Sequence, residues 1–401
     1  MFVNYLSDSD RDSPINLAVA RGVVGFWLVW KTSMYNWPLF LKVPYSQTPE
    51  YGWSVPPVAP GLFLTVEKWV LIGLLVGFVV GYRIQFTAYA CALLVAHLGT
   101  VRTMQIGSGE TEALFIGVYI LILFGLFHKS NVLSVDFFRR TRHESIGALR
   151  QRLESGKDSY SMPALKWGLV VVALIYFGAG FDKVFYDGIL NPSLGFATAE
   201  NLARIVTTYR PDGPLKFVVE YPLLMRIGGI GTLVLELGFL IVVLAKLSIT
   251  PWILGILAFT ASNRILLGIH FVDVYFILLL FAAWDVGYKR LVRDREMVVV
   301  FDEQCRECMR ALIPFAILDT SDTIDFYPRP EAPEQYARGT DAGSSHSVSV
   351  FRNSDRYVGY DAVCELLSQY RYLVPIVWLM RLSFVEHIVV LTHRYVTRDH
   401  A

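Results

Sequence analysis

The chain has 401 residues, a formal net charge of +1, and 54% apolar against 18% charged residues. Mean hydropathy is +0.44, and several apolar runs approach the roughly 20 residues that cross a bilayer, so the chain reads as an integral membrane protein. The balanced charge leaves no strongly basic surface for nucleic acid, and its four cysteines, Cys91, Cys305, Cys308 and Cys364, do not form the framework of a disulfide-stapled scaffold.

The opening residues, MFVNYLSDSDRDSP, lack the basic stretch and small-residue cleavage site of a signal peptide, so the first span is expected to be retained. About eight spans are predicted, near Ile15–Trp30, Val66–Gly81, Phe86–Leu98, Glu112–Phe127, Ala164–Phe181, Ile227–Leu244, Pro251–Ala261 and Ile265–Trp284. The shorter ones fall below the roughly 17 residues a span needs and are open to a re-entrant reading. Between the fourth and fifth, His128–Pro163 carries Lys129, Arg139, Arg140, Arg142, Arg150, Arg152 and Lys157. Such basic loops stay in the cytoplasm. Threading from that anchor puts the N-terminus inside, Asp182–Tyr221 and the aromatic stretch Tyr35–Trp53 outside, and everything after Trp284 inside. Lys289, Arg290, Arg293 and Arg295 agree with that orientation. The expectation is a plasma-membrane protein with both its N-terminus and its C-terminal domain cytoplasmic.

Composition shifts near Arg295, dividing the chain into a membrane domain over 1–294 and a domain of soluble character over 295–401. In the second, strands are predicted at Val298–Phe301, Ile324–Tyr327 and Ser347–Arg352, with a turn around Asn353–Asp355. Helices are predicted at Met309–Leu318, Tyr360–Gln369, Val374–Met380 and Phe384–Tyr395, and a Pro/Gly/Ser-rich stretch runs from Pro328 to Ser345. That order suits a small α/β sheet domain.

The sharpest motif is the apolar strand running into Asp302-Glu303-Gln304-Cys305-Arg306-Glu307-Cys308, followed by a helical pattern. A thiolate is the attacking species in disulfide exchange, and a helix N-terminus favours the anion. Cys305 at the strand-to-helix junction is placed to attack, and Cys308, one turn on, to resolve the mixed disulfide. Three blander readings stand beside it. A zinc site needs four ligands, and only His346 and Cys364 offer themselves. The pair also fits inert packing cysteines, or a structural disulfide, which a reducing cytoplasm disfavours.

The stretch Val298–Cys308 resembles the DCC-type thiol-disulfide oxidoreductase family. The similarity continues through Ser347–Asn353, Gly359–Val363 and His393-Arg394-Tyr395. It implies a thioredoxin-like fold with Cys305 and Cys308 as the redox pair and Asp302 beside them. One departure is plain: no proline immediately precedes Ser347–Phe351, where thioredoxins place a cis-proline next to the dithiol.

Ionisable residues inside spans are costly and mark function by default. Glu236, His270 and Asp273 lie within spans, His97 near the end of the third, and Lys183 at the outer end of the fifth. Each has a structural reading too. Lys183 and Arg21 can snorkel, Glu236 can hydrogen-bond between helices, and His270 can bond Asp273. The run Tyr176–Lys183, with Ser134-Val135-Asp136 and Gly268–Leu280, resembles the horizontally transferred transmembrane domain family, which includes the vitamin K-dependent γ-carboxylases. The resemblance spans roughly residues 10–290 and implies Lys183 as a base toward a quinol. The Asn-His pair of the carboxylases has no counterpart in Gly107–Glu112, and the chain passes from Trp284 straight to the redox domain. Both departures argue against glutamate carboxylation.

The sequence therefore predicts a polytopic α-helical membrane domain followed by a small α/β, thioredoxin-like domain. The expected activity is thiol-disulfide oxidoreduction of protein-disulfide reductase type, on a protein or small-molecule disulfide. The membrane domain, set in a lipid bilayer, is expected to take a hydrophobic partner such as a quinone, with Glu236, His270 and Asp273 as candidate binding residues. Two alternatives stay open: membrane-embedded chemistry on Lys183 with Glu236 as its partner, and a non-catalytic membrane scaffold.

Overall fold

A computed structural model describes residues 13–34, 61–106, 112–142, 144–149, 163–185, 200–209, 216–267, 272–293, 295–303, 305–319, 323–337, 348–353 and 355–382. The chain divides into two compact units, one of residues 1–134 and 160–283, the other of 135–159 and 284–401. The C-terminal stretch of the second unit begins at Trp284, and residues 135–159 are grouped with it.

The first unit is helical. Its helices are α1 (Pro14–Met34), α2 (Gly61–Val80), α3 (Ile84–Ile106) and α4 (Glu112–Leu126). After α5 (Val135–Thr141), which lies in the second unit, come α6 (Pro163–Phe185), α7 (Glu200–Tyr209), α8 (Pro222–Leu244), α9 (Thr250–Leu267) and α10 (Val272–Leu279). Four stretches among the described residues are long and apolar enough to cross a membrane: Leu62–Val80, Ile84–Thr103, Pro163–Phe185 and Pro222–Leu244. Helix α2 shows why. It turns Leu62, Phe63, Val66, Trp69, Val70, Val76 and Val80 outward, so it is apolar on its outer face as well as its inner one, which suits lipid.

Of the eight expected spans, four are met by length and apolarity among the described residues. Helix α1 has 21 residues but buries Asn16, Arg21 and Lys31. Helix α4 has 15, about 22 Å against a hydrocarbon core of about 30 Å. The predicted Pro251–Ala261 and Ile265–Trp284 spans are redrawn: Ile265 continues α9, and α10 has only 8 residues. These shorter helices still contribute to the same core, through Leu17, Val24 and Trp27, Leu121 and Phe124, and Ile277 and Leu278.

The turn between α2 and α3 needs a glycine. The Gly81 and Tyr82 amides donate to the carbonyls of Phe78 (3.0 Å) and Gly77 (2.9 Å), with Gly81 at φ +76°. This is the left-handed helix stop that glycine favours. A Cβ there would stand 2.4 Å from that of Ser134.

Beyond α5, the second unit continues with α11 (Trp284–Leu291) and holds a four-stranded sheet. Its further elements are β1 (Met297–Phe301), α12 (Arg306–Leu318), β2 (Ile324–Pro328), α13 (Glu334–Ala337), β3 (Ser349–Arg352), β4 (Asp355–Val358), α14 (Tyr360–Ser368) and α15 (Val374–Met380). The strand order is β2-β1-β3-β4. Strand β1 runs parallel to β2, with Phe301 opposite Pro328, and antiparallel to β3, with Val300 opposite Ser349. β3 and β4 form a hairpin through Asn353 at φ +48°. Val299, Val300 and Phe301 are all buried, as a central strand covered on both faces requires. The predicted helix Phe384–Tyr395 lies outside the described residues.

Candidate functional site

Strand β1 ends at Phe301, and the chain turns through Asp302 and Glu303 into α12. The Cys305 amide donates to the Asp302 carbonyl at 3.2 Å, so Asp302 sits in the turn that sets the direction of the helix. Cys305 is the N-cap of α12, and its Sγ accepts from the Cys308 amide at 3.2 Å. Cysteine takes here the place a serine or aspartate holds at other helix starts. Cys305 and Cys308 are joined as a disulfide, with their Cα atoms 5.3 Å apart. Cys305 is half-buried, whereas Cys308 is buried behind it.

The antiparallel register brings the start of β3 beside the end of β1, so the first residues of β3 flank the disulfide end of the sheet. Ser349 there is buried and accepts a hydrogen bond from Arg356 at 3.4 Å. Cys364, weighed above as a metal ligand, is buried on α14 and takes no part in a disulfide. His346 lies outside the described residues. No group of three or more His, Cys, Asp and Glu able to hold a metal occurs among the described residues.

At the other end of α12, the Tyr288 hydroxyl of α11 donates to the Leu318 carbonyl at 2.9 Å. The Tyr288 ring lies 6.5 Å from Tyr370 and 6.4 Å from Tyr372. Burial, reinforced by Tyr370 and Tyr372, pushes the Tyr288 phenol well above its ordinary range. Burial does the same to Tyr370.

In the first unit the structure brings Lys183 and Glu236 together. The Lys183 ammonium donates to both carboxylate oxygens at 2.7 Å, and to the Ala179 carbonyl at 3.3 Å. The pair is only 26% and 6% exposed. It forms because α6 and α8 approach closely at Gly180, where a Cβ would stand 2.9 Å from that of Glu236. Tyr176, at the start of the same motif, packs edge-on against Phe239.

Among the described residues, Asp273 finds its partners on another helix. It pairs with Lys31 and accepts from the Trp27 indole at 2.7 Å, both on α1. His270 lies outside the described residues. His97 is bonded through Nδ1 to both oxygens of Glu67, at 2.8 and 2.9 Å. Lys31, Trp27 and Glu67 are the residues that sequence reading passed over. For Lys31 and Glu67 the signal was present, since a charge inside an apolar helix is the criterion that singled out Glu236.

Arg21 corrects an expectation. It does not snorkel; it is 3% exposed. Its guanidinium donates to Val79 O (3.0 Å), Asn131 Oδ1 (2.9 Å) and Leu133 O (2.6 Å), tying α1 to the end of α2 and to the segment after α4. Three acceptors in divergent directions match the fixed fork of arginine.

Helix directions sort these groups. Lys68 reaches the Ser33 carbonyl while Arg21 reaches Val79, so α1 and α2 are antiparallel. Lys31, Glu67 and His97 therefore share one end of the bundle. Asp273 joins Lys31 there, and α10 leads from it toward Phe281, which faces Gly168 near the start of α6. Lys183, near the end of α6, thus returns to the Lys31 half. Lys183–Glu236, Lys31–Asp273 and the half-exposed His97–Glu67 contact lie in one half of the bundle and Arg21 in the other.

No protein-family model, curated protein or solved structure matches this chain.

Proposed function

We propose that this protein is a membrane-anchored thiol-disulfide oxidoreductase of disulfide-reductase type, with Cys305 attacking and Cys308 resolving. The observation that carries the reading is the placement of Cys305. It caps α12, is more open than Cys308, and already accepts a hydrogen bond from the Cys308 amide. The same N–H and the positive end of the helix stabilise a Cys305 thiolate once the disulfide opens.

The cycle balances with two electrons. In the reduced pair, the Cys305 thiolate attacks a substrate disulfide, forming a mixed disulfide and releasing one substrate thiolate. Cys308 then attacks Cys305 Sγ, closing the Cys305–Cys308 bond and releasing the second. Water protonates the released thiolates. A low-molecular-weight thiol or a dithiol protein must reopen the pair, and it is the reductant of the cycle.

A thioredoxin-like domain of the DCC type is part of this proposal. Supporting it are the β-α-β order through β1, α12 and β2, the parallel β1–β2 pair, the antiparallel β3 and β4, and a dithiol at the start of the first helix. A likeness of the first unit to the horizontally transferred transmembrane family is proposed too. It rests on the Tyr176–Lys183 motif and on the Lys183–Glu236 pair. The cytoplasmic placement of the redox unit rests on the basic residues that flank the spans.

A second reading rests on that ion pair: chemistry or quinone binding within the membrane unit. A lysine base must be a neutral amine with a free lone pair, and Lys183 donates to both oxygens of Glu236, so that pair must open first. Reduction of a disulfide substrate by the full-length protein, with glutathione as donor, tests the two readings together. Cys305→Ser is expected to abolish it and Lys183→Ala to leave it. Retention of activity in Cys305→Ser contradicts the favoured reading. Loss of a quinol-dependent reaction in Lys183→Ala alone supports the second. If neither substitution changes any turnover, a non-catalytic membrane scaffold remains.

A further inference from the structure

Helix α15 packs one side on α14, where the Tyr360 hydroxyl donates to the Met380 carbonyl at 2.7 Å, and leaves its other sides open. Of its seven residues only Val377 is buried, while Ile376, Trp378 and Leu379 are 49%, 65% and 51% exposed. Tyr372, just before it, is exposed as well. A helix this apolar on its open sides needs a cover.

The nearby side chains say what kind. Tyr372 lies against Tyr288 of α11, and α11 itself exposes Val286 and Leu291. Lys289 and Arg290 lie exposed on α11, and exposed Arg371 and Arg381 bracket α15. Tryptophan and tyrosine among aliphatics, edged by lysine and arginine, is the composition of a surface set at the level of lipid headgroups. The chain supplies the continuity. Leu280 and Phe281 belong to the core of the membrane unit, and α11 begins three residues later.

We infer that α11, the Arg371–Leu373 turn and α15 form a membrane-docking face of the second unit, seated on anionic lipid headgroups. The consequence for chemistry comes from α12. Tyr288 binds its last residue, Leu318, and Phe315 stacks on Tyr370, whereas Cys305 caps its first turn. Thirteen residues separate the two ends, about 20 Å of helix. The docking face anchors one end of α12 and the disulfide sits at the other. Resting on the redox reading above, this assigns the dithiol to disulfides carried in water rather than to a partner dissolved in the bilayer.

The test uses the full-length chain in nanodiscs of phosphatidylcholine and phosphatidylglycerol. Nitroxides are placed singly through Ile376→Cys, Trp378→Cys and, as an aqueous control on β4, Asp355→Cys. Cys305 and Cys308 stay oxidised, and labelled wild type corrects for Cys91 and Cys364. At 376 and 378 the label is expected to meet oxygen several-fold more, and a water-soluble nickel chelate several-fold less, than at 355. Accessibility like that of 355 means an open aqueous surface and overturns the proposal. Exclusion of both probes means a protein cover, whether residues 383–401 or a second copy, and overturns it as well. In the same nanodiscs a water-soluble phosphine is expected to reduce Cys305–Cys308 as fast as in detergent; slow reduction overturns the assignment of the dithiol to water. Neither readout requires turnover, so failure here is distinct from failure of the redox reading.

Discussion

Lys183 and Glu236, 53 positions apart, meet through two hydrogen bonds of 2.7 Å inside the membrane unit. The pair fastens α6 to α8. Removing one partner strands the other charge in a medium that solvates it poorly, which costs about 3 kcal/mol, whereas replacing both with apolar side chains costs far less. Glu236→Ala is therefore expected to lower thermal stability in detergent more than Lys183→Met combined with Glu236→Met. The check is the midpoint of unfolding for the two single variants and the double. Simple addition of the two single effects would show that the groups do not act as a pair.

The approach that makes the pair possible depends on one glycine of two. A Cβ at Gly180 would meet Glu236 and Leu237 at 2.9 and 3.0 Å, while one at Gly178 meets nothing within 4 Å. Gly180→Ala is expected to destabilise by about 1–3 kcal/mol, in the manner of overpacking. Gly178→Ala is expected to stabilise by about 0.5–1 kcal/mol through helix propensity. Thermal unfolding of the two variants side by side should separate them in opposite directions.

Alkaline pH should loosen the second unit through its buried tyrosines. Burial raises the Tyr288 and Tyr370 phenols above their ordinary value near 10. A folded-state pKa raised above the unfolded one gives a contribution that is complete below about pH 10 and declines as pH rises past it, because the unfolded chain gives up its proton first. Near-ultraviolet absorbance at 295 nm, followed with circular dichroism, is expected to show tyrosine ionisation coinciding with unfolding of this unit. Tyr288→Phe is expected to shift that transition to higher pH. Ionisation of all tyrosines near pH 10 with the unit still folded would contradict the burial argument.

Much of the second unit could be read directly from residue order. Val298–Phe301 is apolar without alternation and became the central strand, and Val374–Met380 is the helix it was expected to be. Strand β4, Asp355–Val358, was not expected. It opens with two charged residues and is mostly exposed, and only pairing with β3 makes it a strand, which is a tertiary effect. The start of α12 moved from Met309 to Arg306 because Cys305 serves as its cap.

The membrane unit shows a different limit. Hydropathy measures how apolar a segment is, not which charge meets which across antiparallel helices. Glu236, Lys183 and Asp273 were each visible as costly charges. The partner of Asp273 was not, because Lys31 lies 242 positions away. An apolar run does not report helix bounds: Ile265, expected to open the eighth span, lies in α9.

The most direct test of the redox assignment is mechanism-based trapping. With Cys308→Ser, the attack step can occur but the resolving step cannot. The full-length variant, incubated reduced with a disulfide substrate, is expected to accumulate a reductant-cleavable adduct at Cys305, read by peptide mass spectrometry, while Cys305→Ser accumulates none. An adduct at Cys308 in Cys305→Ser with none at Cys305 in Cys308→Ser, or no adduct in either variant, would contradict the account.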